Sequence, residues 1–228
     1  MSDVRSVLFL VFPQVSEQDL YAAWELMRAV AFTRPDLDVS IGSFHDDPLP
    51  THMGSSVSPQ RIVKESDRFD VLYIPGGIGA GEASKDPRVL GLIRAHHAEN
   101  RWVAANCAGV GVLYRSGILD GKQITSPASL ARRLPKLGAD LISPRIAWKV
   151  DRNNRIFTAG GAATVHPSTI ALVAELFGKD AAQNLAGSWD TWPLHGDLLF
   201  DPLGPKMLQN NEAESALQDQ LELVFMPD

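Results

Sequence analysis

Short apolar segments alternate with amphipathic segments along most of this chain. The apolar segments are rich in β-branched and aromatic residues and have the length of buried strands. They cover residues 4–12, 39–44, 71–74, 102–106, 123–126, 139–142, 146–150 and 156–159. Apolar residues spaced three and four apart predict helices over 16–32, 87–100, 108–116, 130–137 and 167–177. This order predicts an α/β protein with a mostly parallel sheet covered on both faces.

The segments that follow three predicted strands give the first indication of function. The sequence FPQV follows the first strand, the sequence PGGIGAGE follows the strand at 71–74, and Cys107 follows the strand at 102–106. In parallel sheets the carboxyl ends of neighbouring strands lie at one edge, and ligands bind there. We therefore expect these three segments to meet.

The chain shows neither an internal repeat nor a linker between two domains. We predict a single domain over 1–228, with a core over about 4–185 and a C-terminal extension over about 186–228. The pattern weakens within the extension, which we expect to pack on the domain or on a second subunit.

The composition narrows the class of protein. The 228 residues suffice for a large buried core. A formal charge of −6 argues against a general binder of nucleic acids or anionic membranes. No apolar run approaches the roughly 18 residues of a membrane span, and the N-terminus does not resemble a signal peptide. We therefore expect a cytoplasmic protein.

The cysteine and histidine residues limit the possible metal chemistry. A single cysteine excludes an intramolecular disulfide framework and any zinc site built on several thiolates. No pair of histidines has a spacing typical of metal ligands, so we expect no dedicated metal site. His96 and His97 fall on a polar helix face, where we expect both to be solvated.

Cys107 lies between a predicted strand and a predicted helix, among small neighbours such as Ala105, Ala108 and Gly109. A tight strand–turn–helix connection of this kind, a nucleophile elbow, lifts one side chain above the sheet edge. At the start of a helix we expect the dipole to lower the pKa of the thiol and to favour the nucleophilic thiolate. A buried structural thiol is the other interpretation, and position alone does not decide between them.

The glycine-rich segment at 75–82 can present backbone N–H groups to an anion. Its glycine spacing differs from the dinucleotide-binding fingerprint, and the lysine of a P-loop is missing. An oxyanion hole therefore fits this segment better than a phosphate site, and a plain turn is the simpler alternative.

Three further side chains are expected near the same sheet edge. Glu17 and Asp19 lie in the first turn of the first predicted helix. A carboxyl group there can act as a general acid or base, or can merely complement the helix dipole. His166 precedes Pro167 at a predicted strand–helix junction, where it can serve as a base for Cys107 or as a capping residue. For all three side chains the structural role is the commoner one.

Together these segments resemble the ThiJ/PfpI superfamily over about residues 5–185. The matching segments are LFLVFPQVSEQDL, VLYIPGGIGAG, AANCAGVGVLYRSGILDGK and RIFTAGGAATVHPSTIALVAELFG. Within the superfamily the chain is most similar to the isonitrile hydratase (cyclohexyl-isocyanide hydratase) branch.

The resemblance implies a flavodoxin-like three-layer sandwich that forms a homodimer and needs no metal or organic cofactor. It implies that Cys107 is the nucleophile and that Asp19 is its acidic partner and proton donor. The backbone amides near Gly77, Ile78 and Ala108 would then form the oxyanion hole. In isonitrile hydratases the thiolate attacks the terminal carbon of a small-molecule isonitrile, and water finally releases an N-substituted formamide.

Three positions depart from the pattern of that branch. Ala108 stands where a threonine usually follows the nucleophile, and Pro127 replaces a frequent pocket histidine. His166 lies in a segment that usually reads Thr-Ala-Gly-Ile-Asp, so it is a candidate for a new contribution to substrate binding. These changes affect the pocket rather than the scaffold, and they leave the identity of the small electrophile open.

Two other classes of function remain open. One is a different cysteine enzyme of the superfamily, glyoxalase-like or amidase-like. Glyoxalase-like members generally carry glutamate as the acidic partner, so Asp19 argues against this class while Glu17 keeps it open. The other is a cysteine redox or stress sensor without enzymatic activity, because an activated thiolate oxidises readily.

Overall fold

A seven-stranded sheet forms the centre of the computed structural model, which describes residues 4–189 and 201–228. The strands of the chain are β1 (Ser6–Leu10), β2 (Asp38–Ser43), β3 (Leu49–Pro50), β4 (Ser56–Val57), β5 (Arg61–Ile62), β6 (Val71–Ile74), β7 (Trp102–Asn106), β8 (Gln123–Ile124), β9 (Asp140–Leu141), β10 (Trp148–Asp151) and β11 (Ile156–Ala159). The central sheet has the order β10-β11-β7-β6-β1-β2-β5. All its pairs are parallel except β10 with β11, which confirms the predicted, mostly parallel sheet.

Helices cover both faces of this sheet. They are α1 (Glu17–Ala31), α2 (Ala80–Ala83), α3 (Pro87–Ala98), α4 (Gly109–Arg115), α5 (Arg133–Lys136), α6 (Val165–Phe177), α7 (Lys179–Ser188) and α8 (Asn211–Phe225). Helices α1, α6 and α7 pack together on one face, and α2, α3 and α4 pack together on the other. The result is the expected flavodoxin-like three-layer sandwich.

Helix α1 illustrates why the sequence folds as predicted. Ser16 caps the helix, and its side-chain oxygen accepts a hydrogen bond from the Asp19 N–H at 3.3 Å. The residues that face the sheet, among them Leu20, Ala23 and Met27, are fully buried and recur at helical spacing. The cap therefore fixes where α1 begins, directly above the carboxyl end of β1.

The strand order brings the functional segments together. β11, β7, β6 and β1 are neighbours and run parallel, so their carboxyl ends lie side by side. The chain changes direction between β1 and β6, because β2 lies on one side of β1 and β6 on the other. Such a switch point leaves a crevice at the carboxyl edge of the sheet.

The C-terminal part of the chain contains two helices that the sequence pattern did not predict, α7 and α8. The apolar residues of α8 recur at helical spacing, but within the helix only Gln218 and Phe225 are buried. Phe225 and Leu221 pack against the hydrophobic core, and polar contacts add to this, including a 2.9 Å hydrogen bond from Gln218 Nε2 to the Ala128 carbonyl. Residues 190–200 of the predicted extension lie outside the described residues.

Two expectations about histidine exposure and helix length need correction. His96 was expected to be solvated, but it is fully buried, and His97 is half-buried. The predicted helix at 130–137 is reduced to the single turn of α5, preceded by a 3₁₀ turn at Ala128–Leu130. Among the described residues, no helix combines the length and hydrophobicity that crossing a membrane requires.

Candidate active site

Cys107 occupies a nucleophile elbow between β7 and α4. Its φ angle of +49° is uncommon for a residue with a side chain, as expected for a sharp strand-to-helix turn. Its N–H donates to the Ala159 carbonyl at 3.1 Å, which ties the turn to β11. Gly109 permits the turn, since a Cβ there would lie 2.2 Å from the Ile74 carbonyl oxygen. The predicted elbow is therefore present, with the half-buried cysteine at its tip.

The carboxyl group of Asp19 lies beside this thiol. Asp19 is only 3% exposed, and its Oδ1 accepts a hydrogen bond from the Ala162 N–H at 2.9 Å. A Cβ placed on Gly76 would lie 2.7 Å from Asp19 Oδ2 and 2.8 Å from Cys107 Sγ. The two functional groups therefore border the same small space, which exists because position 76 has no side chain.

A second glycine closes the opposite side of the pair. A Cβ on Gly161 would lie 2.3 Å from Cys107 Cβ and 3.0 Å from Asp19 Oδ1. The φ angle of Gly161 is +88°, which also favours glycine. The thiol follows β7, and the carboxyl group lies on α1. Gly76, after β6, and Gly161, after β11, leave the room that these two groups need to approach each other.

Backbone amides point at the sulfur. The N–H groups of Gly77 and Ala108 both interact with Cys107 in the direction that stabilises a thiolate. Gly77 has a φ angle of +123°, and a Cβ there would lie 2.4 Å from the Gln14 carbonyl oxygen. The loop can therefore approach the segment after β1 closely, and its amide stays directed towards the sulfur. Ile78 follows in the same loop and is half-buried.

The protonation state of the thiol differs from the expectation based on the helix dipole. Burial raises the pKa of Cys107 above its usual range, and the negative charge of Asp19 and a hydrogen bond to it raise this pKa further. The amides of Ala108 and Gly77 only partly oppose these effects. The predicted lowering of the pKa is therefore wrong for the free protein.

The sequence model of the DJ-1/PfpI family matches residues 5–175 of this chain. The chain belongs to the DJ-1/PfpI family. An isonitrile hydratase of Pseudomonas putida is 31% identical over 175 residues, covering 77% of this chain and 73% of that protein.

More distant members of the DJ-1/PfpI family share the fold but carry other names. A glutathione-independent glyoxalase of Caenorhabditis elegans is 21% identical over 187 residues, covering 81% of this chain and 96% of that protein. A THiJ/PfpI family protein from Pseudomonas syringae has a TM-score of 0.78 at 20% identity, covering 98% of this chain and 90% of that one. Membership of the DJ-1/PfpI family therefore establishes the fold without selecting one reaction.

Glu17, the alternative acidic partner, faces away from the thiol of this DJ-1/PfpI protein. Its carboxylate accepts hydrogen bonds from the loop of the small β3–β4 hairpin, at Thr51, Met53 and Ser55. Burial opposes ionisation, but these hydrogen bonds outweigh it and lower the pKa of Glu17 to about 2. Glu17 therefore anchors the hairpin, and Asp19 is the carboxyl group at the site.

The structure does not bring His166 to the Cys107–Asp19 pair. His166 is exposed in the first turn of α6, and the described interactions of the thiol and the carboxyl group do not include it. Pro127 is buried before the 3₁₀ turn at Ala128–Leu130. Among the described residues, no three His, Cys, Asp or Glu side chains are grouped to hold a metal ion.

Sequence reasoning missed three contributors to the site: Gly161, Ala162 and Asn106. The first two lie in a Gly-Gly-Ala segment directly after a predicted strand, the same signal that singled out the segment at 75–82. Asn106 is a polar residue at the end of an apolar strand, directly before the cysteine. An amide in that position needs buried hydrogen-bond partners, which was the available signal.

Proposed function

We propose that this DJ-1/PfpI protein is a cysteine-dependent hydratase that adds water to an isonitrile, or to a similar small electrophile, and releases an N-substituted formamide. The observation that supports this function most directly is the pairing of a buried carboxyl group with a half-buried thiol across a space lined by glycine. The similarity to an isonitrile hydratase supports the choice of substrate class.

The first step needs a nucleophile, a proton acceptor and a proton donor in one place. Asp19 accepts the thiol proton as Cys107 Sγ attacks the terminal isonitrile carbon, and the same proton then passes to that carbon. The product of this step is a thioimidate, in which carbon is bound to sulfur and to nitrogen. Because the pKa of Cys107 is raised, its thiol keeps the proton until substrate arrives and is protected from unspecific reactions.

The second step consumes water. Water adds to the thioimidate carbon, and Asp19 accepts a proton from this water and transfers it to the nitrogen, giving a tetrahedral adduct. The carbon–sulfur bond then breaks, the hydroxyl proton returns through Asp19 to the sulfur, and the formamide leaves. The amides of Gly77 and Ala108 stabilise negative charge on the departing sulfur. They act as an oxyanion hole does, but on a thiolate instead of an oxyanion.

The test measures conversion of cyclohexyl isocyanide to its formamide by chromatography. We expect turnover by the wild type, none by Cys107→Ala, and a decrease in kcat of at least about 100-fold for Asp19→Asn, because general acid–base catalysis contributes about that much. Asn at position 19 keeps an acceptor for the Ala162 N–H, so the fold should be retained.

Glu17→Gln is the matched control for Asp19→Asn, because it removes a carboxylate from the same helical turn. We expect its kcat to stay close to that of the wild type, since Glu17 contacts the hairpin and not the thiol. Turnover that survives in Cys107→Ala would contradict the proposal. Conversion of methylglyoxal to lactate without conversion of the isonitrile would replace it by a glyoxalase function.

The proposed enzyme acts on a small molecule, and we propose that it does so as a cytoplasmic homodimer, as the resemblance implies. Size-exclusion chromatography with light scattering checks the oligomeric state. A mass near that of one 24.8 kDa chain would contradict the dimer.

A further inference from the structure

Asn106 is the residue of β7 directly before the nucleophile, and its carboxamide joins two other segments of the site. It is fully buried. Its Oδ1 accepts a hydrogen bond from the Gly76 N–H at 3.1 Å, and its Nδ2 donates to the Asp19 backbone carbonyl at 3.0 Å. A backbone N–H can only donate and a carbonyl can only accept, so these two partners also fix the orientation of the amide.

A buried carboxamide is costly unless it is hydrogen-bonded, and an apolar side chain would be the default at the end of a buried strand. The other residues of β7 (Trp102, Val103, Ala104 and Ala105) follow that default. Asn106 instead uses both ends of its amide to connect residues that lie 30 and 87 positions away along the chain.

We infer that Asn106 is a positioning residue for proton transfer between Cys107 and Asp19; this inference rests on the proposed function. The strand that carries the thiol also holds the backbone of Asp19, through Nδ2, and the backbone of the glycine loop, through Oδ1. The Ala162 N–H holds the side-chain carboxyl group of Asp19 by a separate hydrogen bond. Asp19 is thus held at both ends relative to the sulfur.

The geometry has a direct consequence for rate. Proton transfer and attack depend steeply on the placement of the reacting groups, and a displacement of about 1 Å can cost about 100-fold. Without the Asn106 amide, the first turn of α1 and the loop at Gly76 lose their shared anchor. Asp19 is then free to move away from the sulfur, although its own side chain has not been altered.

The test is a double-mutant cycle of Asn106→Leu, which keeps the branching at Cγ but removes both hydrogen-bonding groups, and Asp19→Asn. We expect Asn106→Leu alone to lower kcat for cyclohexyl isocyanide by about 10- to 100-fold, with KM changed less than about threefold. In the Asp19→Asn background we expect Asn106→Leu to have little further effect on kcat, because Asn106 acts through Asp19. Additive losses, or an unchanged kcat in the single variant, would overturn the inference.

A second readout does not depend on the substrate. Cys107 is the only cysteine, so the rate of its alkylation by iodoacetamide as a function of pH reports the thiol titration. Asp19 raises the pKa of this thiol, so we expect Asn106→Leu to shift the alkylation midpoint downwards, towards that of Asp19→Asn. A purely structural role would lower the free energy of unfolding and leave the midpoint in place.

Controls separate the possible failures. Asn154→Leu makes the same chemical change in a turn, where Asn154 Nδ2 donates to Asp151 at 2.8 Å, and it should leave kcat and the midpoint unchanged. If Asn106→Leu does not fold, Asn106→Ser, whose hydroxyl group cannot reach both partners, replaces it in the cycle. If the wild type converts no isonitrile, the proposed function fails, and the alkylation cycle alone decides the role of Asn106.

Discussion

Gly161 shows how one absent side chain sets the geometry of the thiol. Its backbone (φ 88°, ψ −173°) is a conformation that residues with a Cβ avoid, and the space where that atom would lie is occupied by Cys107. Gly178 has almost the same backbone (φ 94°, ψ 166°), yet nothing lies within 4 Å of the corresponding position. The two glycines therefore separate the effect of backbone conformation from that of the contact.

We predict that Gly161→Ala and Gly178→Ala both lower the free energy of unfolding by about 1–3 kcal/mol through backbone strain. Only Gly161→Ala should also alter the site, because the new methyl group displaces Cys107. In Gly161→Ala the rate at which iodoacetamide alkylates Cys107 should change at least about tenfold. Urea denaturation and thiol alkylation measure the two effects, and equal alkylation rates in both variants would refute the steric argument.

Ion pairs help to attach the C-terminal helix to the core. Helix α8 has few buried apolar residues. Its Glu214 Oε1 lies 2.7 Å from Nη2 of Arg145, and the Arg145 side chain is only 6% exposed. Arg132 adds ion pairs to Asp219 and Glu222 on the same helix. Because a nearly buried guanidinium group needs its counter-charge, the Arg145–Glu214 pair should matter more than the exposed ones.

Glu214→Gln is expected to reduce the free energy of unfolding by about 3 kcal/mol, since it leaves the Arg145 charge uncompensated. The matched control is Glu175→Gln, whose partner Arg152 is 55% exposed at a similar distance of 2.8 Å. The control should lose less than about 1 kcal/mol. Urea denaturation monitored by fluorescence provides the comparison, and equal losses would contradict the role assigned to burial.

The stability of the whole molecule should depend on pH through His96. Its Nε2 accepts a hydrogen bond from the Phe69 N–H at 3.0 Å, and its Nδ1 lies 2.8 Å from the Leu92 carbonyl, so the neutral imidazole fits. Burial, and then the neighbouring charges of Arg68 and Arg101, lower the pKa of His96. The unfolded chain therefore binds a proton at a higher pH than the folded chain does.

The sign of the effect follows from proton linkage. Above about pH 6.5 the imidazole is neutral in both states, and as the pH falls below that value the unfolded state gains a proton before the folded state does. His96 should thus reduce the free energy of unfolding as the pH is lowered from 7 to 5.5. We expect His96→Phe, although less stable at pH 7, to show a correspondingly smaller loss over this range. An unchanged slope of unfolding free energy against pH would disprove the assignment.

Local patterns in the sequence determined much of the fold and, within the site, the elbow that carries Cys107. Strand and helix positions follow from short-range periodicity, and the buried strands β6, β7 and β11 have the predicted bounds. The elbow at Cys107 also follows from local sequence, because a strand, small residues and a helix succeed one another. Helix α8 was not predicted, although its apolar residues recur at helical spacing, and ion pairs add to the packing of Leu221 and Phe225 on the core.

Only the tertiary structure decided what surrounds the thiol. Glu17 and Asp19 are two residues apart on one helical turn, and the packing of α1 directs one towards the hairpin and the other towards Cys107. The contacts of Asn106 and Gly161, the burial of His96 and the raised thiol pKa have the same origin. Each depends on segments far apart in the chain that meet through strand order and register, and no local pattern encodes that meeting.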